Sequence, residues 1–344
     1  MRPLGRMVGM NTTAPTPAHA AQRTAHPTPA IRVTELVKHY GDNLALDYLT
    51  MEVRRGEIYG LLGPNGSGKT TAINCILGLL TYDSGEIRIF GEPMGPTSYD
   101  LKRRIGVVPQ DIAVFNELTV EENIAYFCSL YVADRARRKG LVDEAIAFVG
   151  LNDYRTYRPR KLSGGLLRRL NIACGIVHKP ELIFFDEPTV AVDPQSRNAI
   201  LEGIEQLNAQ GSTIVYTSHY MEEVEQICDR IQIIDHGRQI AIGTADELKR
   251  MIEAGERITV EAPALSANEA LCQRAVSMLG DLEAVHEVTF ENDELVVVCS
   301  QGEHNLIDVL QVLRSLDIPM GHVSSRAPTS NDVFLALTGT DLRD

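Results

Sequence analysis

Gly63-Pro-Asn-Gly-Ser-Gly-Lys69-Thr70-Thr71 is the stretch on which the reading of this chain turns. It fits the G-x-x-x-x-G-K-[ST] pattern of a phosphate-binding loop. The apolar run Glu57–Leu62 before it reads as a strand, and Asn74–Leu80 after it continues as a helix. That context is what such a loop requires. Glycines at 63, 66 and 68 let the backbone wrap closely and aim its N–H groups at anionic oxygens. The helix N-terminus adds partial positive charge. Lys69 supplies a cation to the β- and γ-phosphates, and the Thr70 hydroxyl is the expected Mg²⁺ ligand. Pro64, Asn65, Ser67 and Thr71 complete the candidate nucleotide contacts.

Two further stretches carry chemistry. Leu182-Ile-Phe-Phe-Asp186-Glu187 is an apolar strand that delivers Asp186 to its carboxyl end. In an open α/β sheet ligands bind there. Asp186 can hold Mg²⁺, directly or through water, and Glu187 can orient or deprotonate an attacking water. Lys161-Leu-Ser163-Gly164-Gly165-Leu166 places a hydroxyl and exposed N–H groups at a predicted helix start, a second anion-binding geometry. One chain already has one phosphate cradle. A second suggests that one subunit covers the nucleotide held by another.

Composition limits the alternatives. The chain has 344 residues, 44% hydrophobic and 23% charged, as in an ordinary globular protein of one large and one small domain. No apolar run approaches the ~18 residues of a membrane span, and no secretory h-region opens the chain. The net charge is −13, and residues 251–344 carry most of it, with five basic and sixteen acidic residues. No domain is strongly basic, which argues against a nucleic-acid partner. Cysteines 75, 128, 174, 228, 272 and 299 are widely spaced and read as reduced packing thiols.

The coarse pattern gives three regions. Residues 1–30, rich in Ala, Thr and Pro, read as a disordered tail. Residues 31–250 alternate strands with helices, which predicts an α/β sheet, mostly parallel. Expected strands include Ile31–Leu36, Met51–Val53, Glu86–Phe90, Ile105–Val108, Thr213–Thr217 and Arg230–Asp235. Thr119-Val-Glu-Glu122 is a capping box opening a helix to about Tyr131, and Asp193-Pro194 opens another. Residues 251–344 follow the order β-α-β-β-α-β of a ferredoxin-like module, then a terminal helix at Asn331–Leu337.

Together these residues resemble the nucleotide-binding subunit of an ATP-binding cassette (ABC) transporter. The resemblance covers roughly Ile31 to Ile252. It implies a P-loop cassette with a RecA-like core, an antiparallel β subdomain and a helical subdomain. It identifies Gly63–Thr71 with the Walker A loop, Leu162–Leu166 with the family signature and Leu182–Glu187 with Walker B. It also implies roles that residue types alone would not give. Tyr40 stacks on adenine, Gln110 contacts Mg²⁺ and relays to the transmembrane partner, Val190–Asp193 form the D-loop, and His219 is the switch histidine. Asn116–Asn123, Asp193–Arg197 and Asn331–Gly339 are similar to ATPase chains of multidrug and antibiotic-resistance exporters. In that group the permease is a separate chain.

The resemblance therefore implies an ATP-hydrolysing, Mg²⁺-dependent subunit, two copies of which sandwich ATP on the cytoplasmic face of a membrane-embedded permease. Two features depart from the common family pattern: Leu166 and Leu167 stand at commonly polar signature positions, and the D-loop reads Val-Ala-Val-Asp. The rival is a soluble cassette ATPase acting in translation or DNA repair. It is disfavoured by the single cassette and by the absence of a long heptad run between Lys69 and Ser163. The last 94 residues read as a dimerisation or stabilising module, with a small-molecule sensor as the alternative.

Overall fold

The computed structural model describes residues 28–251, 256–300, 304–326 and Phe334. The chain opens with β1 (Ile31–Tyr40), β2 (Asn43–Val53), β3 (Ile58–Leu62), α1 (Lys69–Ile76), β4 (Ser84–Ile89) and β5 (Glu92–Pro93). Next come α2 (Tyr99–Lys102), β6 (Ile105–Val108), α3 (Val120–Tyr131), α4 (Arg135–Phe148) and α5 (Gly164–Ile176). Then follow β7 (Leu182–Asp186), α6 (Pro194–Ala209), β8 (Thr213–Thr217), α7 (Met221–Ile227), β9 (Arg230–Asp235), β10 (Arg238–Gly243) and α8 (Ala245–Met251).

Two sheets result. One has six strands in the order β10-β9-β3-β8-β7-β6, parallel except for β10 at its edge. The other has four, β2-β1-β4-β5, all antiparallel. The central strands β3 and β8 are buried at every residue, and β7 at all but Asp186. Continuous apolar runs of this kind fit a sheet covered on both faces. Alternate side chains go to opposite faces, and two cores follow from that. Ile58, Leu62, Ile183, Phe185, Ile214 and Tyr216 join the core shared with α3–α7. Tyr59, Leu61, Leu182, Phe184 and Val215 join the core shared with α1 and the antiparallel sheet. Leu61 pairs with Thr217, and Thr217 with Asp186, so β3, β8 and β7 end side by side.

Several boundaries move from the sequence reading. Ala30, placed in the tail, is buried, and its N–H donates to Val53 O at 2.8 Å. Helix α1 stops at Ile76, short of Leu80. Gly78 has φ 62°, and a Cβ there would meet Gly95 O at 2.9 Å. The capping box at Thr119 is present with both of its hydrogen bonds. The helix α4, capped by Asp134, was not expected. All six cysteines are free thiols.

A third body follows: β11 (Arg257–Glu261), α9 (Glu269–Gly280), β12 (Val285–Glu291), β13 (Glu294–Cys299), α10 (Asn305–Ser315) and β14 (Val323–Arg326). Its sheet is antiparallel, in the order β12-β13-β11-β14. Ile258, Val260, Leu279, Leu295, Val297 and Leu313 anchor its own core. Phe334 does not belong to that core; it is fully buried in the helix-side core of the first 250 residues. The remainder of the expected terminal helix, Asn331–Leu337, and residues 1–27 lie outside the described residues. Among the described residues no helix is long and apolar enough to cross a membrane.

Candidate functional site

The phosphate loop occupies the turn between β3 and α1. A Cβ on Gly63 would lie 2.3 Å from both Ile234 O and Ser67 Oγ. Gly66 has φ 82° and open space beside it. Gly68 has φ 104°, and a Cβ there would strike Ala45 O at 2.7 Å. No side chain caps α1 at Gly68, and its first turn holds no acidic residue, so the helix dipole is left for an external anion. The buried Ser67 Oγ has no hydrogen-bond partner. Lys69 Nζ donates to Gly63 O at 2.7 Å and to Pro64 O at 3.1 Å. Burial lowers its pKa, while Glu187 and Asp186 act to restore it. These features fit a nucleotide polyphosphate: glycine-shaped clearance, unspent donors and one directed cation.

The carboxylates stand at the end of β7. Asp186 Oδ1 accepts from Thr217 Oγ1 at 2.7 Å. Burial raises the Asp186 pKa, reinforced by neighbouring Glu187 and opposed by the Thr217 hydrogen bond and by Lys69. Glu187 is held at φ 46°, unusual for a residue with a side chain. Its N–H donates to Thr217 O at 3.2 Å and to Thr217 Oγ1 at 3.0 Å, which secures the strained turn. The Glu187 carboxylate then lies 3.4 Å from His219 Nδ1. The fold thus brings Lys69, Asp186, Glu187 and His219 to adjoining strand ends.

The other expected residues are elsewhere. Tyr40 is at the tip of the β1–β2 hairpin, 49% exposed, with Lys38 Nζ 5.3 Å from its ring centroid. Strand β2 passes the phosphate loop at Ala45–Leu46, only a few residues on. Thr70 and Thr71 begin α1. Gln110 is exposed in the loop after β6. Ser163 caps α5, accepting from Leu166 N at 3.4 Å. Gly164 has open space around it. Gly165 is buried, and the atoms a Cβ would meet belong to Ser196 and Asp193. Among the described residues no group of three or more His, Cys, Asp or Glu side chains could hold a metal ion.

Sequence reasoning missed the residues that hold these loops. Arg168 Nη1 and Asn171 Nδ2, both on α5, donate to Pro109 O at 3.1 and 3.2 Å. Asn171 Oδ1 accepts from Ala113 N at 3.0 Å. The helix that begins at Ser163 therefore grips the loop that carries Gln110. Asn123 is fully buried; its Oδ1 accepts from Phe115 N, and its Nδ2 donates to the carbonyls of Phe115, Leu118 and Thr119. A buried Asn inside an apolar helix face was the signal available in the sequence.

Comparison with known proteins agrees with this geometry. Residues 46–190 match the family model described as ABC transporter. The chain is 39% identical over 316 residues to the linearmycin resistance ATP-binding protein of Bacillus subtilis (strain 168), covering 91% of this chain and 100% of that one. It is 37% identical over 319 residues to a daunorubicin resistance ATP-binding protein of Streptomyces coeruleorubidus, covering 91% and 97%. A solved ATP-binding subunit of an ABC transporter superposes with a TM-score of 0.60 at 29% identity, over 64% of this chain and 92% of that one. The loop, the paired carboxylates and these likenesses lead to one conclusion: the chain belongs to the ATP-binding subunits of ABC transporters, and it is an ATPase.

Proposed function

We propose that this subunit powers export of drugs, antibiotics or related amphiphiles through a separate permease, docked on the cytoplasmic face of the membrane. The observation that carries the hydrolytic part is the 3.4 Å approach of Glu187 to His219 beside Asp186 and Lys69. Resistance to linearmycin and daunorubicin in the names of two relatives supports the cargo class. The docking surface is the loop braced by Asn123, where Phe115 and Tyr126 pack edge to face at 4.9 Å. Phe115, Tyr126 and Leu130 are 43%, 44% and 57% exposed, an apolar patch suited to a protein partner.

Two copies face each other head to tail, each covering the other's nucleotide with Ser163, Gly164 and Gly165. Tyr40 stacks on adenine, and Gly63–Thr71 cradle the phosphates. Thr70, Asp186 and Gln110 would hold Mg²⁺, which would supply positive charge against that developing on the phosphates. Glu187 orients the attacking water and His219 completes the site. In phosphoryl transfer the protein's contribution is positioning and electrostatics, so loss of one group is severe. The chain divides into a tail, a cassette to about residue 250 and an accessory domain. The strand order β12-β13-β11-β14 supports a ferredoxin-like accessory fold.

The test is to purify the subunit from detergent-solubilised membranes with its accompanying proteins and compare wild type with Glu187→Gln. The expected result is a polytopic membrane partner that alters the ATPase rate. The variant should bind ATP yet turn over ~10²-fold or more slowly, as for loss of a positioned general base. Ribosomal or DNA-repair partners would overturn the transport reading. Wild-type turnover by the variant would overturn the role of Glu187.

A further inference from the structure

Glu223 lies in α7, four residues beyond His219, yet its side chain turns inward and is only 3% exposed. Its Oε2 accepts three hydroxyl hydrogen bonds: from Thr189 at 2.8 Å, Tyr216 at 2.7 Å and Ser218 at 2.7 Å. Its Oε1 faces Arg197 Nε at 3.3 Å. A carboxylate brings no proton of its own, so all three hydroxyls must donate, and their rotors are fixed. Burial, reinforced by the Glu223 charge, keeps the Tyr216 phenol protonated as one of those donors. Ser218 Oγ in turn accepts from Tyr220 N at 2.9 Å.

These partners come from the segments that set the hydrolytic pair. Thr189 is two residues after Glu187. Ser218 immediately precedes His219. Arg197 sits in the first turns of α6, just beyond the D-loop residues Val190–Asp193. The Arg197 guanidinium lies 4.6 Å from the Tyr220 ring centroid, and the Tyr220 ring lies 4.4 Å from the His219 ring. One buried carboxylate therefore ties the loop after β7, the end of β8 and the start of α6 to one point.

We propose that Glu223 is a positioning residue for hydrolysis: its carboxylate holds Glu187 and His219 in register, and through Arg197 and Tyr220 it couples the D-loop end of α6 to the imidazole. The inference rests on the proposed roles of Glu187 and His219. With its side chain only 3% exposed, Glu223 acts through Glu187 and His219. In a Glu223→Gln variant the acceptor site shared by three hydroxyls is weakened, or an amide N–H is turned toward Arg197. Networks of this kind are coupled, so deletions within one do not add.

The experiment is single-turnover ATP hydrolysis by the full chain, with binding of a fluorescent ATP analogue measured in parallel. Glu223→Gln should leave nucleotide affinity within about 2-fold and slow hydrolysis about 10-fold or more, a rate effect without a binding effect. Ser218→Ala should slow hydrolysis less, and should add little in the Glu223→Gln background. A wild-type rate in Glu223→Gln, or affinity and rate falling together in step with melting temperature, overturns the proposal. If Glu223→Gln does not fold, Ser218→Ala alone decides: a wild-type rate refutes the hub, and a slowed rate at unchanged affinity supports it. Glu187→Gln is run alongside. Wild-type hydrolysis by that variant would remove the underlying role of Glu187. A slow Glu187→Gln beside a wild-type-rate Glu223→Gln would remove only this inference.

Discussion

The ammonium of Lys69 is held by two carbonyls of its own loop, 2.7 and 3.1 Å away, with its charge reduced in water contact by burial. Anionic oxygens offer that cation a stronger, charge-assisted partner than neutral carbonyls do. Lys69→Ala should therefore weaken nucleotide affinity by about tenfold or more, on the ~1.5–3 kcal/mol of a hydrogen bond to a charged group. A fluorescent ATP analogue titrated against both proteins measures it, and equal affinities would contradict the assignment. Lys69, Asp186 and Glu187 were legible in the sequence because their chemistry is local: a glycine loop, a strand end and a neighbouring carboxylate. Arg168, Asn171 and Glu223 were not. Each acts on a segment that only the folded chain places opposite it, 59 residues away in the case of Arg168 and Pro109. Spacing in sequence carries no trace of such a pairing.

Elements show the same division. β6, β8 and β9 lie where their apolar runs predict, because buried parallel strands advertise themselves. Helix α4 escaped notice because Arg135, Arg137, Arg138, Lys139 and Gly140 dilute its apolar stripe, although Asp134 caps it as a helix start should. The loop at Phe115–Thr119, proposed above as the docking surface, depends on α3 through Asn123. Asn123→Ala leaves Phe115 N and three carbonyls without that partner, a loss of about 1–3 kcal/mol for an orphaned buried group. Amide hydrogen exchange across residues 113–119 should quicken, while exchange in β7 and β8 stays slow. Unchanged exchange in the loop would show that Asn123 does not brace it.

The C-terminal end of α5 gives a pH prediction. His178 Nε2 bonds to Ile105 O at 3.0 Å, and its ring stacks on Tyr131 at 3.8 Å. Burial lowers its pKa from 6.5 to about 4, against the Ile105 hydrogen bond, and its Nδ1 has no partner. The folded state thus holds fewer protons than the unfolded chain between these values. Its contribution is full above about pH 6.5 and is lost as pH falls toward 4, by up to about 3 kcal/mol. Melting temperature should fall over that window more in wild type than in His178→Gln. Parallel pH profiles would refute the assignment.

At the scale of the whole molecule, the described residues form three cores, and the first 250 residues build two of them. Phe334 crosses that division. Its ring is fully buried in the helix-side cassette core, although the separate body spanning Arg257–Arg326 intervenes in the chain after Leu248. Phe334→Ala should cost about 3–5 kcal/mol, the usual range for a buried Phe. Thermal melting of the full chain should show it, with the loss in the cassette transition. An unaltered cassette transition would mean the ring is dispensable.

The position of Phe334 also orders events during synthesis. Domains tend to fold as they emerge, N-terminal first. Among the described residues, every other member of the helix-side core lies at or before Leu248 and is made well ahead of residue 334. The nucleotide loop and both carboxylates thus leave the ribosome while their supporting core still lacks one ring. A nascent chain stalled before residue 334 would carry the glycine loop and both carboxylates on a scaffold whose helix-side core is still missing the Phe334 ring.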